Sequence, residues 1–551
     1  MKFNRLQKIQ ILFWMIGLFG FTMIILTACI TPPIDRDGLI HHLAIPKLWI
    51  QHGGFYETPW ADFSYYPMTI NLLYLIPLVF KNDILPKMIH MLFGMGTGFL
   101  VFLYLKKRFD SRWGLLGFFI FISTPIIIWL STSAYIDLGM TFFSTASVLA
   151  LIKWRDGSYE NTKWLLISAC CMGVAVGSKY NALIAWFITN LLLTVIYVRD
   201  TDRQMSAVKY AAIFFLVTAA VASPWYIKNY ILRENPFYPL FNSFFMALHS
   251  PDQATAIIGR QMERSPGKIG FFQFRAHLYG ESFWETLFIP IRMFFQGEDN
   301  SYQYFQGRLN PVLIVFLPFI LLNRRHGKDK LLFFGFSFFF MFMAYFTTEK
   351  QVRYIAPVLP IMTILAVTGI NHLSGKFKEK QGVVFKLLHG SVFLTVAILL
   401  VPNFFYLKDH FKKIDPVPYI LGKETRDDFL KRHLLDYPGV QFINAALPED
   451  AVIYTIYLGR RGYYLEREYR NDPSFGVNVL RRLAAASEDE FEFVRAVKSL
   501  GATHIFMRTD LADRFMQVNY KKEEIVRFLN MVKKHWKLLY NHKGYAVWRI
   551  G

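Results

Sequence analysis

The sequence predicts a polytopic α-helical membrane protein of about eleven spans, with juxtamembrane helices on its outer face and a small C-terminal α/β domain. Three observations predict it. Of the 551 residues, 54% are hydrophobic and only 18% charged, which excludes a disordered chain and an ordinary soluble domain. The formal net charge of +21 gathers in short connections between apolar runs, a distribution that orients spans in a bilayer rather than tracking a nucleic acid. After Pro402 charges become frequent and long apolar runs stop. The cysteines, Cys29, Cys170 and Cys171, all lie in apolar runs, so neither a disulfide framework nor a zinc site is implied.

The apolar runs fall at 10–30, 85–105, 113–131, 135–153, 164–179, 181–198, 207–223, 309–323, 330–347, 352–371 and 384–406. Each approaches the roughly 20 residues that a spanning helix needs. The first ends in Leu26-Thr27-Ala28-Cys29, similar to a lipoprotein cleavage site, but it is long enough to span and reads as an uncleaved helix. A shorter run, 68–80, is bounded by Pro67 and Lys81-Asn82-Asp83. Lys2, Arg5 and Lys8 place the N-terminus in the cytoplasm, and Lys106, Lys107, Arg108 and Arg112 mark the next inner loop. One span fits between them, so 85–105 crosses and 68–80 lies on or dips into the outer face. Arg324, Arg325, Lys328 and Lys330, then Lys376, Lys378, Lys380 and Lys386, keep later loops in phase. The transmembrane domain is thus 1–406, with outer loops at 32–84 and 224–308. Within the second, Gln296 to Arg308, rich in Gly, Gln and Tyr, reads as a mobile loop.

Residues 407–551 read as an extracytoplasmic accessory domain. Ala451 to Leu458 is a buried strand, and Ser487 with Glu490 forms a capping box for a helix ending at Gly501. His504 to Met507 is a strand, Lys521 to Lys534 has helical periodicity, and Trp536–Tyr540 with Tyr545–Ile550 form a hairpin. Strands alternating with helices make this a small α/β domain.

Nearly every unusual polar residue falls on the outer side. Asp35-Arg36-Asp37 follows the first span, with His41-His42 close behind, and carboxylates beside a bilayer are functional candidates. Asp37 and His41 are four apart and share a face of an α-helix. Leu39, Leu43 and Ile50 add the apolar stripe of an interfacial helix. The aspartate pair suits a general base or a divalent cation, and equally a helix cap with a solvated turn. Asp137 follows Ser131-Thr132-Ser133-Ala134-Tyr135 at the outer end of a span, where it also suits a helix start. Lys179, beside Tyr180, closes the small-residue face of Gly173 and Gly177; it either snorkels or contacts phosphate. Arg353, in Thr348-Glu349-Lys350-Gln351-Val352-Arg353-Tyr354, suits bidentate phosphate binding, as Lys179 suits a point charge. Ser223 to Tyr230 and Asn235 to Pro239 read as an interfacial aromatic belt, with sugar stacking as the alternative.

The acidic pair followed by His41-His42-Leu43-Ala44-Ile45-Pro46-Lys47-Leu48-Trp49, then Ala134 to Leu138, Gly177 to Tyr180, Ser223 to Tyr230 and Arg353 to Pro357, occur in one order over residues 30–370. This pattern resembles the large-loop membrane glycosyltransferases of the GT-C superfamily. The nearest branch is the phospholipid-carrier-dependent enzymes, akin to aminoarabinose transferases and protein mannosyltransferases. The resemblance implies a hexosyl or pentosyl transferase with a polyprenyl-phosphate-linked donor, inversion at the anomeric carbon and an extracytoplasmic site in a bacterial inner membrane. The acceptor would be a glycan, a lipid or a protein. By carry-over Asp37, Asp35 and Asp137 are catalytic, and Lys179, Tyr180, Arg353, Tyr354, His41 and His42 bind substrate. Many relatives carry Asp-Glu where this chain has Asp-Arg-Asp; Asp37 is preferred as base because it is in register with His41. A divalent ion (Mg or Mn) stays open, with Asp35, Asp37 and His42 as candidate ligands. A transporter or flippase of a lipid-linked sugar is the alternative, but it would place polar residues along a midplane path, and here they sit at span ends. A scaffolding protein would explain the tail but not the charged cluster.

Overall fold

Most of the apolar runs fold into helices, though not all into single long ones. The computed structural model describes residues 5–249, 270–321, 327–347, 351–377, 383–472, 479–480, 483, 487 and 490–551. Among these, six helices are long and apolar enough to cross a membrane: Gln7–Cys29, Ile84–Arg108, Ala182–Thr201, Gln204–Arg233, Val352–Gly375 and Gly390–Ile414. A seventh is possible if Ser111–Ser123 and Pro125–Ser131, bent by 70°, form one span. Eleven were expected. Thr124 is extended (φ −62°, ψ 127°) before Pro125, because proline bars its predecessor from the helical region. The run at 309–323 becomes two short helices, Val312–Val315 and Leu317–Leu321, beside Pro311 and Pro318. The run at 164–179 becomes Lys163–Val176, of 14 residues, and 68–80 becomes Asn71–Val79, of nine; neither is long enough to cross alone. Asp137–Asp156 has the length, at 20 residues, but buries Thr141, Ser144, Thr145 and Ser147. The basic residues expected at 324, 325, 378 and 380 lie outside the described residues, as do 348–350 of the arginine motif.

The chain divides into two units. The first comprises Met1–Ile30, Tyr66–Leu73 and Pro86–Pro416; the second comprises Thr31–Tyr65, Tyr74–Leu85 and Val417–Gly551. In the first, Val352–Gly375 is the central helix, 89% of its apolar window being buried, against 22% for Gln7–Cys29. Gln296 to Arg308, expected as a mobile loop, is hydrogen-bonded to its surroundings in its C-terminal half, Val352 N–H donating to Phe305 O (2.7 Å), Ile126 N–H to Arg308 O (3.0 Å) and Arg275 to Gln303 O (3.0 Å). The expectation rested on composition, which cannot show where backbone donors go.

The second unit is built on a five-stranded sheet in the order β2-β1-β3-β5-β4. Its strands are β1 (Val452–Ile456), β2 (Glu468–Asn471), β3 (His504–Arg508), β4 (Trp536–His542) and β5 (Tyr545–Ile550). β1 pairs in parallel with β2 and β3, and β5 runs antiparallel to both β3 and β4. Strands β1, β3, β4 and β5 match the sequence reading, as do the helices Glu490–Lys498 and Lys522–His535. Residues 488–489 of the expected capping box lie outside the described residues. The segments from 31–65 and 74–85 are stitched to this sheet unit. The Lys47 ammonium donates to Tyr463 O (2.8 Å), Leu465 O (2.9 Å) and Glu466 Oε1 (2.8 Å), and Asp83 pairs with Arg426.

Candidate functional site

In the first unit the charged residues that the sequence singled out converge. Asp137 opens the helix Asp137–Asp156 and lies in its first turn, where the helix dipole favours a carboxylate; Ile136, not Asp137, is the N-cap residue. Helix Lys163–Val176 ends at Gly177. A Cβ on Gly177 would lie 2.6 Å from Thr69 Oγ1, and Thr69 donates to Gly177 O through both its N–H (2.9 Å) and its hydroxyl (2.6 Å). This close approach turns the chain so that Lys179 points inward rather than snorkelling. Its Nζ donates to Asp137 Oδ1 at 2.6 Å. Asp137 is fully buried, and its Oδ2 makes no hydrogen bond among the described residues.

Arg353 completes the cluster. It lies in the 3-10 turn Val352–Val358, is buried, and donates from Nε to Gln351 Oε1 (2.7 Å). Its guanidinium stacks over Tyr135 (5.0 Å) and Tyr354 (5.2 Å), and Lys179 Nζ lies 5.1 Å from the same Tyr354 ring. Two cations beside one aromatic ring and a carboxylate are groups suited to a phosphate. Tyr180 is used differently: its hydroxyl donates to Tyr238 O (2.7 Å) and accepts from Asn229 Nδ2 (3.1 Å). Burial raises its phenol well above the ordinary value. Trp225 Nε1 donates to Thr69 Oγ1 (2.8 Å), so part of the aromatic stretch after Ser223 braces the Lys179 turn.

Sequence reasoning missed His90. It is fully buried inside a span. Its Nδ1 lies 2.9 Å from both Leu130 O and Ser133 O, and its Nε2 accepts from Leu138 N–H (2.9 Å). Two carbonyls at one nitrogen and an N–H at the other define a neutral, Nδ1-protonated ring. His90 thereby pins the connection that delivers Asp137. An ionisable residue within an apolar run was the available signal.

In the second unit, Asp35 and Asp37 open a π-turn, Gly38–His42. Asp35 Oδ2 accepts from Gly38 N–H (3.1 Å), so Asp35 takes a local anchoring role, whereas the Asp37 side chain makes no capping hydrogen bond. Leu43 N–H donates to Gly38 O (2.9 Å), a five-residue closure. The register that an α-helix would give Asp37 and His41 therefore changes, and the residue one turn on is His42. Both histidines are buried with rings 3.9 Å apart, and His41 stacks on Phe63 at 4.7 Å. Among the described residues no three His, Cys, Asp or Glu side chains are grouped to hold a metal ion. No step below is routed through a metal.

Fold and site together define a multi-pass membrane protein of GT-C architecture, as the sequence resemblance implied. The family profile described as dolichyl-phosphate-mannose-protein mannosyltransferase matches residues 57–249. The structure is similar to ArnT from Cupriavidus metallidurans bound to undecaprenyl phosphate, with a TM-score of 0.56, 13% identity and 97% of each chain covered. It is also similar to the Archaeoglobus fulgidus oligosaccharyltransferase in its apo form, with a TM-score of 0.55 and 13% identity over 98% of this chain and 74% of that one. The same archaeal protein, AglB, in complex with an inhibitory peptide and a dolichol-phosphate, matches with a TM-score of 0.50 at 12% identity, over 98% and 74% of the chains. Among curated protein sequences none matches significantly.

Proposed function

We propose that this protein is an inverting glycosyltransferase that moves a sugar from a polyprenyl-phosphate donor to an acceptor at the outer face of a bacterial inner membrane. In this reading its N-terminus is cytoplasmic and its C-terminal domain extracytoplasmic. The observation that carries the proposal is the Asp137–Lys179 pair, with one Asp137 oxygen left unbonded among the described residues and Arg353 and Tyr354 beside it, a buried charged site in a membrane helix bundle. The undecaprenyl phosphate and dolichol-phosphate bound to its structural neighbours support the same donor class.

In the reaction the bond between the anomeric carbon and the phosphate oxygen breaks, and polyprenyl phosphate leaves as a stable anion. Lys179 and Arg353 stabilise charge growing on that oxygen, help that is felt most in the transition state. The acceptor's oxygen or nitrogen attacks the opposite face of the sugar and gives its proton to a carboxylate, for which Asp37 is assigned. Asp35 anchors the turn that carries it, and Asp137 orients Lys179. Tyr180, Tyr354, His41 and His42 are assigned to substrate binding. The acceptor is a glycan, a lipid or a protein.

The test is native mass spectrometry of the purified protein with undecaprenyl phosphate. Selective binding over bulk phospholipid, weakened about tenfold in Arg353→Ala and Lys179→Ala, is the expected result. Equal adducts in all three proteins would remove the phosphate assignment. Asp37→Asn should keep this binding and lose transfer; a flippase would keep its transport.

A further inference from the structure

The acidic turn is held by the far end of the chain, and we infer that the loop Arg460 to Glu466 is the positioning clamp of Asp35 and Asp37. The inference rests on the reading of that turn as the source of the base. All its contacts lie within the second unit. The Tyr464 hydroxyl donates to Pro33 O at 2.8 Å, two residues before Asp35. Gly462 N–H and Tyr463 N–H both donate to Leu39 O at 3.2 Å, two residues after Asp37. The carboxylates are therefore bracketed by anchors from one loop more than 420 residues away in sequence.

The loop is itself rigid. Asn444 donates to Tyr464 O (2.9 Å) and accepts from Glu466 N–H (2.9 Å). Any Cβ on Gly462 would enter the Tyr469 ring, so the tight approach to Leu39 requires glycine there. Lys47 closes the clamp from the other side. Its ammonium has three protons and meets three acceptors, Tyr463 O, Leu465 O and Glu466 Oε1, which fully uses its donor capacity. The Tyr464 ring is packed beside Arg426, 5.9 Å away, which pairs with Asp83. A half-buried lysine and a half-buried tyrosine spent on backbone carbonyls at this one turn exceed what packing of the sheet requires. Placement of a reacting carboxylate does require them, because a 1 Å displacement costs roughly a hundredfold in rate. The C-terminal unit is on this account part of the catalytic apparatus, through Tyr464 and Lys47 as positioning residues, and not a detachable acceptor module.

The test uses the full-length protein in lipid nanodiscs, comparing wild type with Tyr464→Phe, Lys47→Met and Lys47→Arg. Hydrogen exchange over residues 34–43 should quicken about tenfold in Tyr464→Phe and Lys47→Met, the size of one lost hydrogen bond, with β1–β5 still protected and Lys47→Arg closer to wild type. With undecaprenyl-phosphate-linked hexoses and pentoses as donors, kcat should fall by about tenfold or more while KM for the donor stays within about twofold. Unchanged exchange at 34–43 in both variants overturns the clamp. Exchange rising equally through the sheet also overturns it, by showing a role in folding only. If wild type turns over no donor in the panel, the function proposed above fails, while the exchange data still decide the clamp.

Discussion

The helix Asp137–Asp156 carries a charge cluster at each end, about 30 Å apart by helical rise, and the two clusters are built differently. At its C-terminal end Asp156 and Asp200 are hydrogen-bonded on both oxygens. Asp156 receives Lys107 on one oxygen and Arg108 on the other, both at 2.9 Å. Arg108 also meets Asp329 (2.8 Å), which accepts from the Tyr104 hydroxyl (2.7 Å). Asp200 takes a bidentate Arg155 (2.6 and 3.0 Å) and the Tyr159 hydroxyl (2.8 Å). At the N-terminal end Asp137 is more deeply buried than Asp156, yet only one of its oxygens is hydrogen-bonded among the described residues. Saturated networks rigidify; a half-satisfied one keeps electrostatic capacity that a ligand can use. Ion pairing alone does not separate Asp137 from Asp156 and Asp200, and the count of hydrogen-bonded oxygens does.

Substituting one carboxylate at each end tests that distinction most sharply. Asp137→Asn should lower sugar transfer about a hundredfold or more with little change in folded yield. Asp200→Asn should leave turnover per folded molecule unchanged and destabilise by about 3 kcal/mol, read by unfolding in detergent. The reverse pattern would break the comparison. A smaller effect is expected at His90, because its bonds support Asp137 indirectly. His90→Phe strands two carbonyls and one N–H and should cost about 2 kcal/mol, with weaker undecaprenyl phosphate binding in parallel. A variant as stable as wild type would show that the turn before Asp137 holds itself.

The smallest effect concerns the second unit, where charge is tuned by burial without a saturating partner. Burial, and then the Arg549 guanidinium, hold the His504 imidazole below its ordinary 6.5. The unfolded chain then binds the proton first as pH falls, so the stabilisation is present above pH 6.5 and is lost as pH drops through the folded value. The urea midpoint of the sheet should therefore decline on acidification below 6.5, and less steeply in His504→Asn. Identical profiles would assign the acid sensitivity elsewhere.

Much of this was legible in the chain. Leucine- and phenylalanine-rich runs became helices, and strands β1 and β3 follow the β-branched and aromatic signal in Val452-Ile453-Tyr454-Thr455-Ile456 and His504 to Met507. Strand β2, Glu468-Tyr469-Arg470-Asn471, was invisible because an edge strand needs no apolar alternation. Asp137, Lys179, Arg353 and Tyr354 were readable as charges and an aromatic at span ends, and the structure brings them together. That Lys179 turns toward Asp137 was not readable, since it depends on the close approach of Thr69 to Gly177. The π-turn at Gly38–His42 was equally hidden: one residue's change in hydrogen-bond closure leaves no mark on composition. Nor could spacing show that residues 31–65 and 417–551 share one unit, because that pairing depends on contacts such as the one from Lys47 to Glu466.

That last contact has a meaning for biosynthesis. Lys47 and Glu466 are 419 residues apart, and a ribosome adding roughly 5–20 residues per second needs roughly 20–80 s to travel between them. Throughout that interval the nascent chain carries its acidic turn without the acceptors that Lys47 uses in the finished protein. A chain released early never acquires them. Completion of the C-terminal sheet is thus a checkpoint on a segment made some 419 residues earlier.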